Sequence, residues 1–168
     1  MKSIFKLFVA AFLTVAPLTA TAQSNVAHIN VQQLISEMPE VIAAQSELAK
    51  LEKDYTTQID NAFKEFQTKA QSYSSDAANQ TDVTNQARQK ELESMQTNLQ
   101  EFRDSAAQEL QKKQMDLMTP LLEKARNAIT KVGEEQGFNY VIDSSPNGGI
   151  ILANGKDLLA DVKKELGF

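Results

Sequence analysis

The chain has 168 residues, with 17 Lys and Arg against 22 Asp and Glu, a single histidine, and neither cysteine nor tryptophan. The absence of cysteine excludes a disulfide framework, a thiol nucleophile and cysteine-ligated metal sites. A net charge of −5 provides no basic surface for nucleic acid, so no nucleic-acid partner is expected. The abundance of Gln, Ala, Glu, Leu and Lys indicates long helices.

The first 22 residues have the pattern of a secretory signal peptide. Two lysines precede an apolar run, and small residues ending at Ala22 match a cleavage site. A membrane anchor is the alternative interpretation, but the apolar run is much shorter than the roughly 20 residues that span a bilayer. The sequence therefore predicts a signal peptide over residues 1–22, cleavage after Ala22, and an exported protein that begins at Gln23.

A short strand and a capped helical turn open the mature chain. Residues 26–30 form a strand candidate, and Asn30 with Gln33 matches a capping box before a helix over residues 31–38. Pro39 interrupts this helix and suits the first turn of the next one.

Two long amphipathic helices are predicted next. Apolar residues at positions 48, 51, 55, 59, 62, 66, 70 and 73 form one narrow stripe, and residues 72–86 lose it in a stretch rich in Ser, Asn, Asp and Thr. A second stripe runs from Leu92 to Val132 and ends before Gly137, which suits a left-handed helix cap. A short turn between two helices predicts an antiparallel hairpin.

The position of the turn sets the pairing of the two helices. A tip near residues 79 and 80 places residue i opposite residue 159 − i, so Pro39 lies opposite Pro120. Both prolines then mark one level at which a helix kinks or restarts. The predicted domains are an arm over residues 40–119 and a head made of residues 23–39 and 120–168.

The C-terminal segment is predicted to complete the head. Residues 138–142 and 149–153 are strand candidates joined by a Ser-, Pro- and Gly-containing turn, so a β-hairpin is expected. Asp157 can cap a last helix over residues 158–166. Three short strands with unpaired edges are too few for an independent sheet, so association of several heads is expected.

Patterns that carry catalysis are missing from the sequence. It contains no Gly-rich phosphate loop, no metal-ligand spacing and no nucleophile motif. His28 stands among apolar residues of a predicted strand and is interpreted as a packed histidine. No cofactor is expected, and an enzyme is the least favoured class.

The two ends of the chain resemble the Skp family, also called the OmpH-like periplasmic chaperones. Residues 26–40 (VAHINVQQLISEMPE) resemble the strand–helix opening of that family. Residues 137–145 (GFNYVIDSS) and 149–153 (GIILA) resemble its closing hairpin, and residues 157–166 (DLLADVKKEL) its terminal helix. The arm is less specific, because any charged helical hairpin would look similar.

The resemblance implies an α+β fold in which a long antiparallel helical hairpin, the arm, stands on a small β-containing head that trimerises. It implies that three arms surround a cavity in which unfolded outer-membrane β-barrel proteins are held in the periplasm without ATP or cofactor. The implied trimer core consists of Val26, Ile29, Val31, Val141, Ile142, Ile150 and Leu152. Candidate client-binding residues on the arm are Phe63, Phe66, Tyr73, Met95, Phe102 and Met115.

Each apolar stripe has two interpretations. The structural one, in which the two helices bury their stripes against each other, is favoured for any single residue. In the functional one, some apolar residues face a partner. The leading hypothesis is an ATP-independent holdase, and the alternative is a structural or adaptor trimer whose arms are spacers or dock one folded protein.

Charge sets this chain apart from the best-known, strongly basic members of the Skp family. Residues 40–119 carry a net charge of −5, and residues 71–90 at the tip carry two acids and two bases. Apolar and amide-rich surface is therefore expected to contribute more to client binding. Whether the arms contact a membrane surface stays open.

Overall fold

The structure is a computed structural model, and it describes residues 25–146 and 149–168. The predicted signal peptide and its cleavage after Ala22 lie outside these residues. Within them, no helix is both long enough and apolar enough to span a bilayer. The elements are β1 (Val26–Ile29), α1 (Val31–Glu37), α2 (Pro39–Asp76), a 3₁₀ turn (Ala77–Asn79), α3 (Asp82–Glu135), β2 (Tyr140–Asp143), β3 (Lys156–Asp157) and α4 (Leu159–Leu166).

Helices α2 and α3 form the long hairpin, as predicted. They contain 38 and 54 residues, which corresponds to roughly 57 and 80 Å. The tip at the 3₁₀ turn confirms the predicted position near residues 79 and 80. The turn predicted over residues 72–86 is too wide, since Ser75 stays helical by donating its hydroxyl to the Gln71 carbonyl at 2.8 Å. Helix α3 restarts at once because the Thr81 hydroxyl accepts from the Thr84 amide at 3.2 Å.

Ion pairs across the hairpin confirm the predicted pairing to within about one helical turn. Lys113 contacts Glu47 at 2.8 Å near the head, and Lys69 contacts Glu91 at 2.6 Å near the tip. Pro39 begins α2 as expected, whereas α3 continues through Pro120 without a break. Proline has no backbone N–H, so Pro120 leaves the carbonyl of Asp116 without its helical hydrogen bond. Both residues are exposed, so water can bond to that carbonyl instead.

The head contains a three-stranded sheet in the order β2-β1-β3, with both outer strands parallel to β1. The expected β-hairpin is therefore wrong, because residues 149–153 form no strand and residues 156–157 pair instead. Strands β1 and β2 are parallel because the whole helical hairpin forms the crossover between them. At the other edge, Gly155 approaches so closely that an added Cβ would lie 2.7 Å from the Val26 carbonyl oxygen.

One apolar core lies between this sheet and the roots of the helices. Small residues of α3 allow the close packing: a Cβ added to Gly133 would lie 2.8 Å from a Val141 methyl group. The three strands pair into one sheet within a single chain, and β1 contributes two fully buried residues to this core. Its buried members are Ala27, Ile29, Leu34, Met38, Val41, Ala125, Ala128, Val132, Leu158 and Val162.

Helix ends follow the predicted capping chemistry with one difference. The Asn30 side chain accepts from the Gln33 amide at 2.9 Å, but the Gln33 side chain bonds to Glu37, so the capping box is only half formed. Gly137 adopts φ +74° after α3. The Asp157 carboxylate accepts from the Leu159 amide at 2.9 Å at the start of α4.

Candidate functional site

The arm is held together by a thin apolar seam. In the described stretch from residue 45 to 120, the buried side chains are Leu99 and Ala106. Tyr55 and Phe102 add an edge-to-face aromatic contact with ring centroids 6.0 Å apart. Few buried contacts per residue correspond to low local stability.

The six client-binding candidates divide into two groups. Phe66, Tyr73, Met95 and Phe102 are half-buried along the seam, in agreement with the structural interpretation of the stripes. Phe63 and Met115 point outward and are 40% and 55% exposed. Large apolar groups at these two positions are available to a partner.

A shallow pocket lies halfway along the arm beside Phe63. It encloses about 450 Å³, with Phe66 and Leu99 among its walls. Gln96, Gln100 and Arg103 contribute polar groups to the lining, which can hydrogen-bond to a peptide backbone. This combination suits an apolar side chain on an extended polypeptide.

A polar cluster ties the two helices together near the tip. Glu91 accepts from the Lys69 ammonium and from the Tyr73 hydroxyl, both at 2.6 Å, and these hydrogen bonds, led by that from Lys69, hold the pKa of Glu91 below its usual range. Arg88 lies 4.7 Å from the centre of the Tyr73 ring and pairs with Asp76 at 3.1 Å. Tyr73 is therefore part of the structure of the tip.

The outer face of the head sheet, turned away from the core, carries exposed apolar residues. The parallel register places Val26 beside Tyr140 and His28 beside Ile142 on this face. Tyr140 is 64% exposed and Ile142 38%. The segment 149–153, elsewhere in the head, exposes Ile150, Ile151 and Leu152, at 39%, 102% and 75%.

A groove on the side of the head, which Tyr140 also lines, contains further apolar residues. It encloses about 650 Å³, and Val31 and Val141 from the expected trimer core line it. Leu122 and Ile129 of α3 also line it, and they share a helix face with Met115 because the three positions are seven residues apart. Ile29, also expected in the trimer core, is 1% exposed and belongs to the core of the single chain.

A hydrogen-bonded knot fixes the wall of this groove. Asp143 Oδ1 accepts from the Val31 amide at 3.3 Å, the Ser145 amide at 2.9 Å and the Ser145 hydroxyl at 2.5 Å. The Ser145 hydroxyl in turn accepts from the Gln32 amide at 3.0 Å. Burial favours a higher pKa of Asp143, but these hydrogen bonds together lower it below its usual value.

Sequence reasoning missed several of these residues. Tyr140 and Ile151 lie in the predicted strands but are absent from the expected trimer core, although an aromatic side chain at an alternate strand position is a usable signal. The knot of Asp143 and Ser145 had a weaker signal, a short polar segment directly after a strand. In residues 25–146 and 149–168, no three metal-ligating side chains lie together.

The chain thus combines a small parallel-stranded head with a long, thin helical hairpin, and both carry exposed apolar side chains. The pattern of the family described as Outer membrane protein (OmpH-like) matches residues 25–166, so the chain belongs to that family. The resemblance to the Skp family found in the sequence is thereby confirmed, together with the fold of a helical arm on a small head.

Known proteins related to this chain include two bacterial chaperones. The chain is 25% identical over 159 residues to the chaperone protein Skp of Yersinia enterocolitica, covering 92% of this chain and 93% of that protein. It is 20% identical over 151 residues to the Skp of Pectobacterium atrosepticum, covering 90% of each.

A solved structure shares the fold. The crystal structure of a candidate outer membrane chaperone (OmpH-like) from Caulobacter crescentus CB15 superposes with a TM-score of 0.77 at 12% identity. The match covers 86% of this chain and 85% of the other.

Proposed function

We propose that this protein is an ATP-independent periplasmic holdase that binds unfolded outer-membrane β-barrel proteins and prevents their aggregation in transit. The observation that carries the proposal is the arm, a long hairpin with two buried residues between positions 45 and 120 and with Phe63 and Met115 facing outward. The names of its relatives support this function, since both are chaperones called Skp.

The physical chemistry of the client matches such a surface. Unfolded barrel strands alternate apolar and polar residues, and they aggregate when exposed to water. A protein that binds the unfolded chain keeps it soluble by mass action and needs no nucleotide. Many weak contacts on a deformable arm suit a client without a fixed shape.

The acidic arm specifies how the client is held. Residues 40–119 carry a net charge of −5, so attraction to acidic segments contributes little. Binding then depends on apolar residues such as Phe63 and on the Gln side chains around the mid-arm pocket. We expect client affinity to change little with moderate salt, because few ion pairs between arm and client would be screened.

We also propose that the protein works as a homotrimer joined through its heads, with a cavity between the arms. Support comes from the head, where Tyr140 and Ile142 on the outer face of the sheet, and separately the segment 149–153, expose large apolar groups. Exposed apolar patches of this kind are typical of association surfaces. Val26, Val31, Val141, Ile142, Ile150 and Leu152 would contact neighbouring heads, and Ile29 would support that face from within.

The location of the protein is proposed from residues 1–22. Their pattern predicts export and cleavage after Ala22, so the working protein would begin at Gln23. Mass spectrometry of the protein isolated from the periplasm of its producing cells would identify this first residue, and an uncleaved chain would contradict the proposal.

An aggregation assay tests the holdase proposal. A barrel protein unfolded in urea is diluted into buffer with or without the mature chain and without ATP, and light scattering is followed. We expect the chain to suppress scattering, and the variant Phe63→Ser/Met115→Ser to suppress it several-fold less. The matched control Lys64→Ser/Asp116→Ser changes the exposed charged residues next to Phe63 and Met115, leaves the net charge unchanged and should retain full activity.

Two results would reject the holdase proposal. One is undiminished scattering in the presence of a folded chain. The other is tight, saturable binding of one folded protein without any effect on unfolded barrel proteins, which would identify the adaptor function instead.

A further inference from the structure

Asn154 and Gly155 form an Asn-Gly pair in the head, between the segment 149–153 and β3 along the chain. Both residues are exposed and lie outside the helices and strands. Asparagine is among the chemically labile residues, and a following glycine has no side chain to shield its backbone nitrogen. The pair therefore brings together the two reactants of an intramolecular reaction, a side-chain amide and a backbone nitrogen.

We propose that Asn154 is a site of spontaneous deamidation, which converts it to isoaspartate and aspartate without an enzyme. The backbone nitrogen of Gly155 gives its proton to solvent base and attacks Cγ of Asn154. A new N–C bond forms, the bond from Cγ to the amide nitrogen breaks, and that nitrogen takes up a proton and leaves as ammonia. Water then opens the resulting succinimide ring at either carbonyl, and each product carries one additional carboxylate.

The structure leaves the attacking nitrogen free of a competing backbone hydrogen bond. Pairing of β3 with β1 begins one residue later, at Lys156, whose register partner is Ala27. Among the described residues, no carbonyl accepts a backbone hydrogen bond from the Gly155 N–H. In a helix, by contrast, the N–H that follows an asparagine is bonded to the carbonyl four residues before it. Gly155 is therefore better placed to react than the residue that follows an asparagine within a helix.

The chain before Asn154 is free to move while the chain after it is held. Gly155 packs so closely on β1 that an added Cβ would lie 2.7 Å from the Val26 carbonyl oxygen. On the other side, Ile151 and Leu152 are 102% and 75% exposed and belong to no helix or strand. Rotation of the Asn154 backbone therefore moves the exposed segment, and the side-chain amide can reach the nitrogen without disturbing the core.

Deamidation should alter the segment 149–153 more than the core of the head. Isoaspartate lengthens the backbone by one methylene group, which the exposed segment can accommodate, whereas the Leu158 amide remains bonded to the His28 carbonyl at 3.0 Å. The new carboxylate lies beside exposed apolar residues, and burying it without a partner is costly. Association through this segment, which belongs to the proposed function, should therefore weaken as the protein ages.

Peptide mass spectrometry tests the reaction on the mature chain. Samples are incubated for several days at pH 7.4 and pH 8.5, digested, and fragmented to locate the mass gain of amide-to-acid conversion. We expect Asn154 to convert more than about tenfold faster than Asn98, an exposed asparagine within α3, and faster at the higher pH. Labelling by an isoaspartyl methyltransferase should show that isoaspartate is formed.

Sedimentation velocity tests the effect on association. All chains carry Asn147→Gln, which removes the other Asn-Gly pair of the sequence, and they are compared fresh and aged with and without Asn154→Gln. Glutamine keeps the amide but forms the corresponding ring far more slowly. We expect ageing to weaken association several-fold only in the chain that retains Asn154, while circular dichroism shows that the head and arm stay folded.

Two outcomes would overturn the proposal. Conversion at Asn154 that is absent, or no faster than at Asn98, would reject the modification site. Equal association of the aged chains with and without Asn154→Gln would reject the effect on association. A fresh, folded chain that is monomeric would overturn the proposed association together with its weakening by age, whereas the modification site is decided by the mass measurement alone.

Discussion

Tyr55 on α2 and Phe102 on α3 meet edge to face across the arm, with ring centroids 6.0 Å apart and ring planes inclined at 72°. The Tyr55 hydroxyl also donates to the Glu109 carboxylate, and this hydrogen bond raises the pKa of Tyr55. Tyr55 thus makes both an apolar contact and a hydrogen bond between the two helices in this part of the seam. Phe102 therefore has a structural role that Phe63 lacks.

Replacing Phe102 with Ala should destabilise the arm by about 1 to 3 kcal/mol, because a half-buried ring and an aromatic contact are lost. Replacing the more exposed Phe63 with Ala should cost less than about 0.5 kcal/mol. Amide hydrogen exchange along α2 and α3 measures both effects. Equal loss of protection in the two variants would contradict this division of roles.

The arm could be predicted from the sequence because its pattern is local. Apolar residues spaced by three and four positions define each helix, and the loss of that pattern places the tip. The width of the turn could not be read this way, since Ser75 fits a helix by bonding to the Gln71 carbonyl as readily as it fits a turn.

The head was harder to predict because strand pairing depends on residues far apart in sequence. Residues 150–152 have the apolar composition of a strand, yet they remain exposed and unpaired. Lys156 and Asp157 pair with the free edge of β1 instead, because Gly155 has no side chain and lets the chain approach β1 closely. Successive side chains of β1 point to opposite faces, so Ile29 is buried in the core whereas Val26 lies on the outer face. Composition alone does not reveal this difference.

Charged substitutions in the head should separate its core from its surface. Ile29→Asp buries an unpaired carboxylate, so the protomer should lose several kcal/mol of stability or fail to fold. Leu152→Asp places the charge in water, so the protomer should keep its circular dichroism and melting temperature while association weakens. Sedimentation combined with thermal melting checks both, and a fully associated Leu152→Asp chain would remove Leu152 from the proposed interface.

Gly155 should tolerate no side chain. An alanine there would place its Cβ 2.7 Å from the Val26 carbonyl oxygen, so β3 must move away from β1. We expect Gly155→Ala to destabilise the head by about 1 to 3 kcal/mol in urea unfolding. The neighbouring change Asn154→Ala, at an exposed position, should have little effect; a similar loss for both would mean that the loop, and not this contact, limits stability.

The knot around Asp143 should make the head less stable in acid. The hydrogen bonds from Ser145 and Val31 keep the pKa of Asp143 below its usual value in the folded chain. A lowered folded pKa contributes stability above the unfolded value of about 3.9, and that contribution is lost as the pH falls through the folded value. Asp143→Asn should therefore cost about 1 kcal/mol at pH 7, since the carboxylate is partly solvated.

The difference between the wild-type chain and Asp143→Asn should shrink below about pH 4, because the protonated carboxyl can no longer accept all these hydrogen bonds. Urea unfolding at pH 7 and pH 3 measures this change, with Asp60→Asn on the exposed surface of the arm as the control. A difference that stays constant over this range would show that Asp143 acts through its shape and not through its charge. The groove wall between α1 and β2 would then be held by packing of Val31 and Val141.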